Sequence, residues 1–206
     1  MSLSRRPIRS VEPGLLARQQ LRTALLQWRE ALSPKQASEL TEQLGKQLIT
    51  TIDSLKLRPH CIGVYWPIRG EPDLSRVYQQ FIDQGLRLAL PFIKPDPLSG
   101  KPLKQLYYAH WLITDALVTG RYDIKQPQQI VEVLPDLLLV PCVGFDINNY
   151  RLGYGAGFFD HTLKERPTPT IGIALAQTCV RDLHPSPSDV RLDAIQTELG
   201  VQSSSG

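Results

Sequence analysis

The sequence predicts a three-layer α/β fold, with a mostly parallel sheet covered by helices on both faces and an N-terminal helical hairpin. Three observations lead to this fold class. Apolar residues recur at helical spacing in the first part of the chain, short β-rich runs alternate with helical stretches from His60 onward, and residues 136–143 form a strongly apolar run. Such a run is typical of a central strand that is buried on both faces.

The chain of 206 residues is expected to hold a single domain over residues 15–200. Residues 1–14 and 201–206 are expected to be flexible tails, the second of which contains the run Ser-Ser-Ser-Gly.

Residues 15–31 are predicted to form the first helix, which has one apolar and one basic face. The apolar stripe consists of Leu21, Leu25, Trp28 and Leu32. The basic face carries Arg18, Arg22 and Arg29. Without further information, this basic face could simply be solvated.

A second helix is predicted to begin after Ser33, which is a good N-cap residue. Pro34 suits the first helical position, and Gln36 completes a capping box with Ser33. The two helices are expected to pack against each other as a hairpin.

The remaining elements follow from short apolar runs bounded by Gly, Pro and polar residues. Strands are predicted over residues 61–65, 86–91, 106–111, 136–143, 169–175 and 194–197. A helix is predicted over residues 73–84, where Gly85 ends it. Residues 94–104 are predicted to be a loop, whereas residues 112–133 have no clear pattern.

Charge and hydropathy exclude several classes of protein. The net charge is +3, from 23 basic and 20 acidic residues, and the basic excess lies in residues 1–36. Because there is no long basic stripe, nucleic acid is not expected as a partner, and a small anionic ligand suffices. There is no apolar run of about 20 residues to span a membrane, and no signal peptide is recognisable.

The three cysteines, Cys61, Cys142 and Cys179, are widely spaced and odd in number. They are interpreted as reduced residues, two of them within predicted strands, rather than as a disulfide framework. This interpretation favours the cytoplasm.

The segment 144–164 contains the most distinctive pattern in the chain. Gly153, Gly155 and Gly157 alternate just before a predicted helix. Glycines let the backbone approach an anion, and free amides at a helix N-terminus attract it, so this loop is a candidate phosphate cradle with Arg151 adding a charge at its rim. The dinucleotide fingerprint is excluded because its third glycine would fall on Phe158, and the P-loop ending is also absent.

Two interpretations of this segment remain open from spacing alone. Alternating glycines can also form a merely flexible turn. Asp160, in the first turn of the predicted helix, could either balance the helix dipole or ligate magnesium beside a phosphate.

The residues 151–160, Arg-Leu-Gly-Tyr-Gly-Ala-Gly-Phe-Phe-Asp, closely resemble the signature of the 5-formyltetrahydrofolate cyclo-ligase family. Pro141 and the segment 144–146 precede it as the resemblance requires. Weaker similarities lie in the right order at residues 18–22, 65–71 and 191–198, so that the resemblance spans most of the predicted domain.

The resemblance implies an enzyme that uses ATP and Mg²⁺ to convert 5-formyltetrahydrofolate to 5,10-methenyltetrahydrofolate. ATP would contact basic residues of the first helix and the glycine loop, namely Arg18, Arg22, Arg151, Leu152, Gly153, Tyr154, Gly155, Ala156, Gly157, Phe158 and Phe159. Asp160 and Asp193 would ligate magnesium, and Arg151 and Asp160 would be the catalytic residues. The folate would lie near Tyr65, Trp66, Glu71, Phe158 and Phe159.

Two residues depart from the family pattern. Arg18 stands where lysine is common, and Ala156 stands where some members have a basic residue. Arginine keeps the charge but offers a planar fork instead of a point charge. Taken alone, Trp66 could equally be a packing residue, and Glu71 would be assigned to the surface.

The resemblance further implies a Rossmann-like arrangement akin to the ribose-phosphate isomerase group, in a monomeric, cytoplasmic enzyme. Two alternatives remain. One is a related ATP-using enzyme of another pathway, for example thiamine metabolism; the other is a non-catalytic nucleotide- or RNA-binding module.

Overall fold

The computed structural model describes residues 14–56, 58–120 and 124–203. The helices are α1 (Leu15–Glu30), α2 (Pro34–Asp53), α3 (Ser75–Asp83) and α4 (Phe158–Glu165). The strands are β1 (Cys61–Gly63), β2 (Arg87–Phe92), β3 (Tyr107–Trp111), β4 (Leu117–Thr119), β5 (Lys125–Pro127), β6 (Glu132–Val133), β7 (Leu137–Pro141), β8 (Gly144–Asp146), β9 (Arg151–Leu152), β10 (Thr170–Ile173), β11 (Cys179–Val180), β12 (Ala194–Thr197) and β13 (Gly200–Ser203).

The main sheet has eight strands in the order β13-β12-β10-β7-β1-β2-β3-β6. All neighbours from β12 to β2 are parallel, whereas β13, β3 and β6 add antiparallel pairs at the two edges. The predicted mostly parallel sheet is therefore confirmed. A three-stranded sheet, β11-β8-β9, and a β4-β5 hairpin lie beside it.

Strand β7 lies inside this sheet, between β10 and β1, and alternates its side chains between two cores. Leu139 packs in the first core, which contains Leu48 of α2 and Phe81 of α3. Leu138 packs in the second core, together with Leu163 of α4. The strand is buried on both faces, and helices cover both sides, as predicted.

Helix α1 packs mainly into a third cluster, away from these two cores. Its residues Leu21 and Leu25 are buried there with Leu152 of β9 and Val180 of β11. The two N-terminal helices follow each other through a short turn, and their fully buried apolar residues lie in different clusters, although the half-buried Trp28 of α1 packs against the first core, to which α2 contributes. Helix α1 therefore rests on the small sheet from which the glycine loop emerges.

The C-terminal tail was predicted incorrectly in part. Residues 201–203 form most of β13, which pairs with β12 in the register Ala194 with Ser203. Pairing with β12 gives the backbone N–H and C=O groups of this segment hydrogen-bond partners. These backbone hydrogen bonds stabilise the strand although its side chains are mostly polar. Residues 1–13 and 204–206, also expected in the tails, lie outside the described residues.

Other local predictions can be compared with the structure. The segment without a clear pattern contains β4, β5 and β6. Cys61 and Cys142 are buried and Cys179 is half-buried, and no disulfide joins any two of these three residues. Across the described ranges, no helix is both long enough and apolar enough to cross a membrane.

The capping box of α2 is a local feature that the sequence predicted and the structure confirms. The backbone N–H of Gln36 donates to Oγ of Ser33, and the Gln36 side chain accepts from the Ser33 N–H. We expect Ser33→Ala to lower the free energy of unfolding by about 1 kcal/mol, measured by urea denaturation. Thr50→Ala, at an exposed interior position of the same helix, should leave stability unchanged or raise it slightly. Equal losses in both variants would contradict the capping assignment.

Candidate active site

The candidate site lies where the strand order of the main sheet reverses direction. The chain leaves β1 toward β2 on one side, whereas it leaves β7 toward β10 on the other. Loops that follow adjacent strands diverge at such a point and open a crevice at the carboxyl edge of the sheet, where α/β proteins bind ligands. The loop after β1 carries Glu71, and β7 leads directly into Cys142.

The glycine loop connects β9 to α4 as the sequence predicted. Gly157 is the N-cap of α4 and is in the left-handed region, with φ 73°. A Cβ on Gly153 would collide with Nη1 of Arg151, so the backbone comes closer to this guanidinium than any other residue would allow. The first-turn amides of α4 have no partners within the helix, and the helix dipole adds positive potential to the loop.

Arg151 does not lie at the rim of the loop, as the sequence suggested, because its side chain is only 6% exposed. Its Nη2 donates to Oδ2 of Asp160 at 2.8 Å, while Oδ1 of Asp160 accepts from the N–H of Val190 at 3.1 Å. The Nε of Arg151 is buried and has no hydrogen-bond partner in the described part of the chain. A buried N–H without an acceptor costs roughly 1–3 kcal/mol, so this group can gain from an incoming anion.

Arg22 crosses from α1 to the glycine loop. Its Nε donates to the carbonyl of Gly153 at 2.6 Å, and its Cζ lies 3.5 Å from the position that a Cβ on Gly155 would take. Burial, together with the charge of Arg18, lowers the pKa of Arg22. Among the described residues, no carboxylate oxygen lies within 4.0 Å of its guanidinium, so the charge remains available to a ligand.

Arg18 is already paired with a carboxylate that the sequence had not singled out. Its two terminal nitrogens donate to Asp189 at 2.7 and 3.2 Å. Burial alone would raise the pKa of Asp189, but hydrogen bonds from Arg18 and Ser186 outweigh it and lower this pKa to about 2. Nothing in the spacing of Asp189 among charged and polar neighbours indicated this partnership.

Glu71 is buried, with 7% exposure, so the assignment to the surface is wrong. Its Oε1 accepts from the hydroxyl of Tyr154 at 2.7 Å, and its Oε2 accepts from the N–H of Ile68 at 2.9 Å. Burial raises the pKa of Glu71, whereas these hydrogen bonds and the charge of Arg29 oppose the rise. A carboxylate has about four acceptor positions, so roughly half remain for a ligand.

Arg29 is the residue of this site that the sequence analysis placed on the correct helix face without recognising its role. It is 4% exposed, and its Nη2 donates to the Tyr154 hydroxyl at 2.6 Å. Its Nε and Nη1 donate to the carbonyls of Arg69 and Cys142 at 3.0 and 3.3 Å. The signal was present, since Arg29 shares a helical face with Arg22, which also reaches the glycine loop.

The aromatic residues expected near the folate are divided between core and site. Tyr65 is 3% exposed and its hydroxyl donates to the carbonyl of Pro72 at 2.8 Å. Trp66 stacks edge-on against Trp111, with ring centroids 6.2 Å apart, as the packing interpretation suggested. Both residues therefore shape the loop that carries Glu71, and direct contact with a ligand stays a prediction.

Phe158 and Phe159 begin α4 and are partly buried against the second core. The ring of Phe159 also lies below the Arg151 guanidinium, 5.3 Å from its carbon atom. This packing fixes the first turn of α4 and the orientation of Arg151 above it.

Asp193 precedes β12, and its Oδ2 accepts from both the N–H and the hydroxyl of Thr170 at 2.8 and 2.9 Å. These contacts join the amino ends of β10 and β12. Within the described ranges, no three His, Cys, Asp or Glu residues group closely enough to form a metal site. A role for Asp193 as a second magnesium ligand stays a prediction.

Comparison with known proteins identifies similar sequences and structures. Residues 16–198 match the family described as the 5-formyltetrahydrofolate cyclo-ligase family. The chain is 30% identical over 183 residues to the 5-formyltetrahydrofolate cyclo-ligase of Escherichia coli K12, covering 85% of this chain and 97% of the relative. It is 30% identical over 179 residues to that of Mycoplasma pneumoniae, covering 85% of this chain and 94% of the relative.

Two solved structures of 5,10-methenyltetrahydrofolate synthetases are also similar to this chain. The 5,10-methenyltetrahydrofolate synthetase of Mycoplasma pneumoniae has a TM-score of 0.70 and 26% identity, over 88% of this chain and 98% of that chain. The 5,10-methenyltetrahydrofolate synthetase of Aquifex aeolicus has a TM-score of 0.73 and 26% identity, over 90% of this chain and 92% of that chain.

The pair formed by Arg18 and Asp189 makes stability depend on pH. Because the folded-state pKa of Asp189 is lowered to about 2 from the ordinary value of 3.8, its contribution is present above pH 3.8 and is lost as the pH falls toward 2. We expect Asp189→Asn to cost about 1 kcal/mol at pH 7, since solvent screens this half-buried pair, and less at pH 3. Urea denaturation at both pH values measures the change.

Asp53→Asn, at an exposed carboxylate of α2, controls for the loss of one surface charge. A cost for Asp189→Asn that stays constant from pH 7 to pH 3 would contradict the assignment of the ion pair.

Proposed function

Because the chain belongs to the 5-formyltetrahydrofolate cyclo-ligase family, we propose that it converts 5-formyltetrahydrofolate and ATP to 5,10-methenyltetrahydrofolate, ADP and phosphate in the presence of magnesium. The observation that carries this proposal is the meeting of a cationic glycine loop with a buried carboxylate at one edge of the sheet. Tyr154, in the loop, donates a hydrogen bond directly to Glu71, in the opposite wall. We also propose a cytoplasmic location, which is supported by the burial of Cys61 and Cys142 as unoxidised thiols in the core.

The glycine loop fits the phosphate chain of ATP. Nε of Arg151, which has no partner among the described residues, and the guanidinium of Arg22, which donates through Nε to Gly153, place positive charge where a phosphate oxygen would lie, beside the N-terminus of α4. Arg18 would contribute at the edge of this cradle, where its pair with Asp189 holds it in place. Phosphoryl transfer depends on positioning and on charge stabilisation, and these groups provide both.

Magnesium would be held by Asp160, whose side chain is 18% exposed and therefore accessible from one side. Each of its oxygens accepts one hydrogen bond and keeps a further acceptor position. Magnesium in nucleotide sites commonly takes only one or two protein carboxylates and completes its shell with phosphates and water, so a single accessible aspartate is sufficient. When bound, the ion supplies neutralisation of the negative charge on the phosphates.

Glu71 would recognise the folate. A flat pterin needs apolar walls and an acceptor for its N–H groups, and Glu71 retains acceptor positions inside a largely apolar surrounding. Tyr65 and Trp66 support this wall from the core, whereas Phe158 and Phe159 border it from the glycine loop. The two ligands would therefore meet between Glu71 and residues 151–160.

The proposed reaction uses these two subsites together. The formyl oxygen is a poor leaving group, so transfer of the γ-phosphoryl group to this oxygen, with release of ADP, activates the formyl carbon. N10 of the folate then attacks that carbon to close the ring and releases its proton to solvent, and the oxygen departs with the phosphate. Arg22 and Arg151 would stabilise the charge that develops on the transferred group.

The proposal is tested by mixing the purified protein with 5-formyltetrahydrofolate and magnesium-ATP and following the absorbance of the methenyl product. Product formation that requires all three components is the expected result. A folded protein that forms no product would overturn the proposal. Tight, salt-dependent RNA binding in that protein would point to the RNA-binding alternative.

Asp160→Ala should abolish magnesium-dependent turnover, with a loss of at least about 100-fold in kcat, because the metal loses its protein ligand. Asp160→Asn keeps the size of the side chain and one oxygen, which can accept from either Arg151 or Val190, but it lacks the negative charge, so it should still lose most activity. Circular dichroism and thermal melting check the fold of both variants. Full activity in either folded variant would remove Asp160 from the metal site.

Glu71→Gln should weaken the binding of folate by about tenfold or more and that of ATP much less, because it replaces a charged acceptor by a neutral amide. Isothermal titration with each ligand separately measures the two affinities. Glu132→Gln, at the far edge strand β6, is the matched control. Equal losses for ATP and folate in Glu71→Gln would show that Glu71 acts on the whole site and not on the folate.

A further inference from the structure

The side chains of Arg29 and Glu71, which are buried, and of Tyr154, which is half-buried, form a continuous hydrogen-bonded chain across three separate segments. Arg29 belongs to α1, Tyr154 to the glycine loop and Glu71 to the loop after β1. We propose that Arg29 is a positioning residue, which acts through the Tyr154 hydroxyl to hold Glu71 ionised and oriented for folate binding. This inference rests on the proposed function, and in particular on Glu71 as the folate acceptor.

The charge of Arg29 is not neutralised by a direct ion pair among the described residues. Among the described residues, no carboxylate oxygen lies within 4.0 Å of its guanidinium, although the residue is 4% exposed. A buried charge is costly unless it is paired and hydrogen-bonded. Its acceptors are two backbone carbonyls and one phenol, and Glu71 is the anion that the phenol connects to it.

The direction of the hydrogen bonds determines where the protons lie in the hydrogen-bonded chain of Arg29, Tyr154 and Glu71. A guanidinium has only donors, so the oxygen of Tyr154 accepts from Arg29 and its own hydrogen points to Oε1 of Glu71. The backbone N–H of Ile68 donates to the other oxygen. Glu71 therefore receives a donor at each oxygen, which is the pattern that suits the ionised carboxylate.

Arg29 also supports the turn that places Glu71. Residues 68–71 form a tight turn in which the N–H of Glu71 donates to the carbonyl of Ile68 at 3.0 Å. Arg69 in this turn has φ 48°, a left-handed conformation that side chains other than glycine adopt at a cost. The carbonyl of Arg69 accepts from Nε of Arg29. The guanidinium of Arg69 pairs with Glu30, which lies next to Arg29 in α1. Helix α1 thus holds the strained turn from both sides.

Within the described chain, the titratable groups that face Glu71 are Tyr154, Arg29, Tyr65, Tyr78 and Cys142. Burial raises the pKa of the three phenols, and it raises that of Cys142 to about 12, so all four stay neutral near pH 7. The charged partner of Glu71 is therefore Arg29. Removing the Tyr154 hydroxyl takes away a hydrogen bond that lowers the pKa of Glu71, which should then rise further.

The test uses the full chain with Tyr154→Phe, which keeps the ring and removes only the linking hydroxyl. We expect the KM for 5-formyltetrahydrofolate to rise by on the order of tenfold, with a much smaller change in the KM for ATP. The acidic limb of kcat/KM for folate should move to higher pH, because Glu71 must be ionised to bind. Tyr150→Phe is the matched control, because Tyr150 lies four residues before Tyr154 and takes no part in the hydrogen-bonded chain. It should change neither the KM for folate nor the acidic limb of kcat/KM.

A double-mutant cycle adds a readout that a purely structural role would not move. The loss of folate affinity in Tyr154→Phe combined with Glu71→Gln should be clearly smaller than the product of the single losses, because both variants break the same link. Arg29→Lys keeps the charge but replaces the planar guanidinium, which bonds three acceptors at once, by a single ammonium group. This variant should therefore also raise the KM for folate.

Each outcome decides between the proposals. If the wild-type protein turns over folate but Tyr154→Phe leaves both the KM for folate and the acidic limb unchanged, or the cycle is multiplicative, the positioning role of Arg29 is overturned. If the wild-type protein neither binds nor converts 5-formyltetrahydrofolate, the proposed function fails first, and this inference falls with it.

Discussion

The candidate site depends on the contact between helix α1 and the glycine loop, across which the half-buried Arg22 and the buried Arg29 reach acceptors in other segments. Arg22 donates to the carbonyl of Gly153, and Arg29 donates to Tyr154 and Cys142. In a surrounding of low polarity, an arginine that loses its acceptors is strongly destabilising, so these contacts fix where the helix can lie. The apolar cluster of Leu21 and Leu25 with the small sheet supplies the area that holds the two parts together.

The main sheet makes this contact possible because it determines where the connecting segments emerge. Strands β1 and β7 are neighbours, but their following connections leave in opposite directions. The loop that carries Glu71 and the glycine loop therefore meet, and Tyr154 donates to Glu71 at their contact. Helix α1 contributes Arg22 and Arg29 to this meeting point, and α4 begins beside it after the N-cap Gly157. The general architecture thus provides the position of the site, and specific side chains provide its chemistry.

Much of the fold was predictable because local signals and long-range packing agree. The capping box at Ser33, the apolar run of β7 and the glycines before α4 each indicate one structure, and the structure contains it. Burial of polar residues was not predictable, because it depends on partners that are distant in sequence. Glu71 is buried only because Tyr154 and Ile68 satisfy its oxygens. Residues 201–203 form a strand only because β12 offers a free edge, which no local pattern reveals.

The hydrogen-bonded chain from Arg29 to Glu71 also has a consequence for the order of events in the site. Tyr154 belongs to the loop proposed to bind the nucleotide, whereas Glu71 belongs to the wall proposed to bind the folate. A ligand that moves the loop must change the hydrogen bond from Tyr154 to Glu71, and a ligand that engages Glu71 must act back on the loop. Thermodynamic linkage requires these two effects on binding to be equal in size. In a reaction that must bring the γ-phosphoryl group and the formyl oxygen together, such a link makes the affinity of each subsite depend on whether the other is filled.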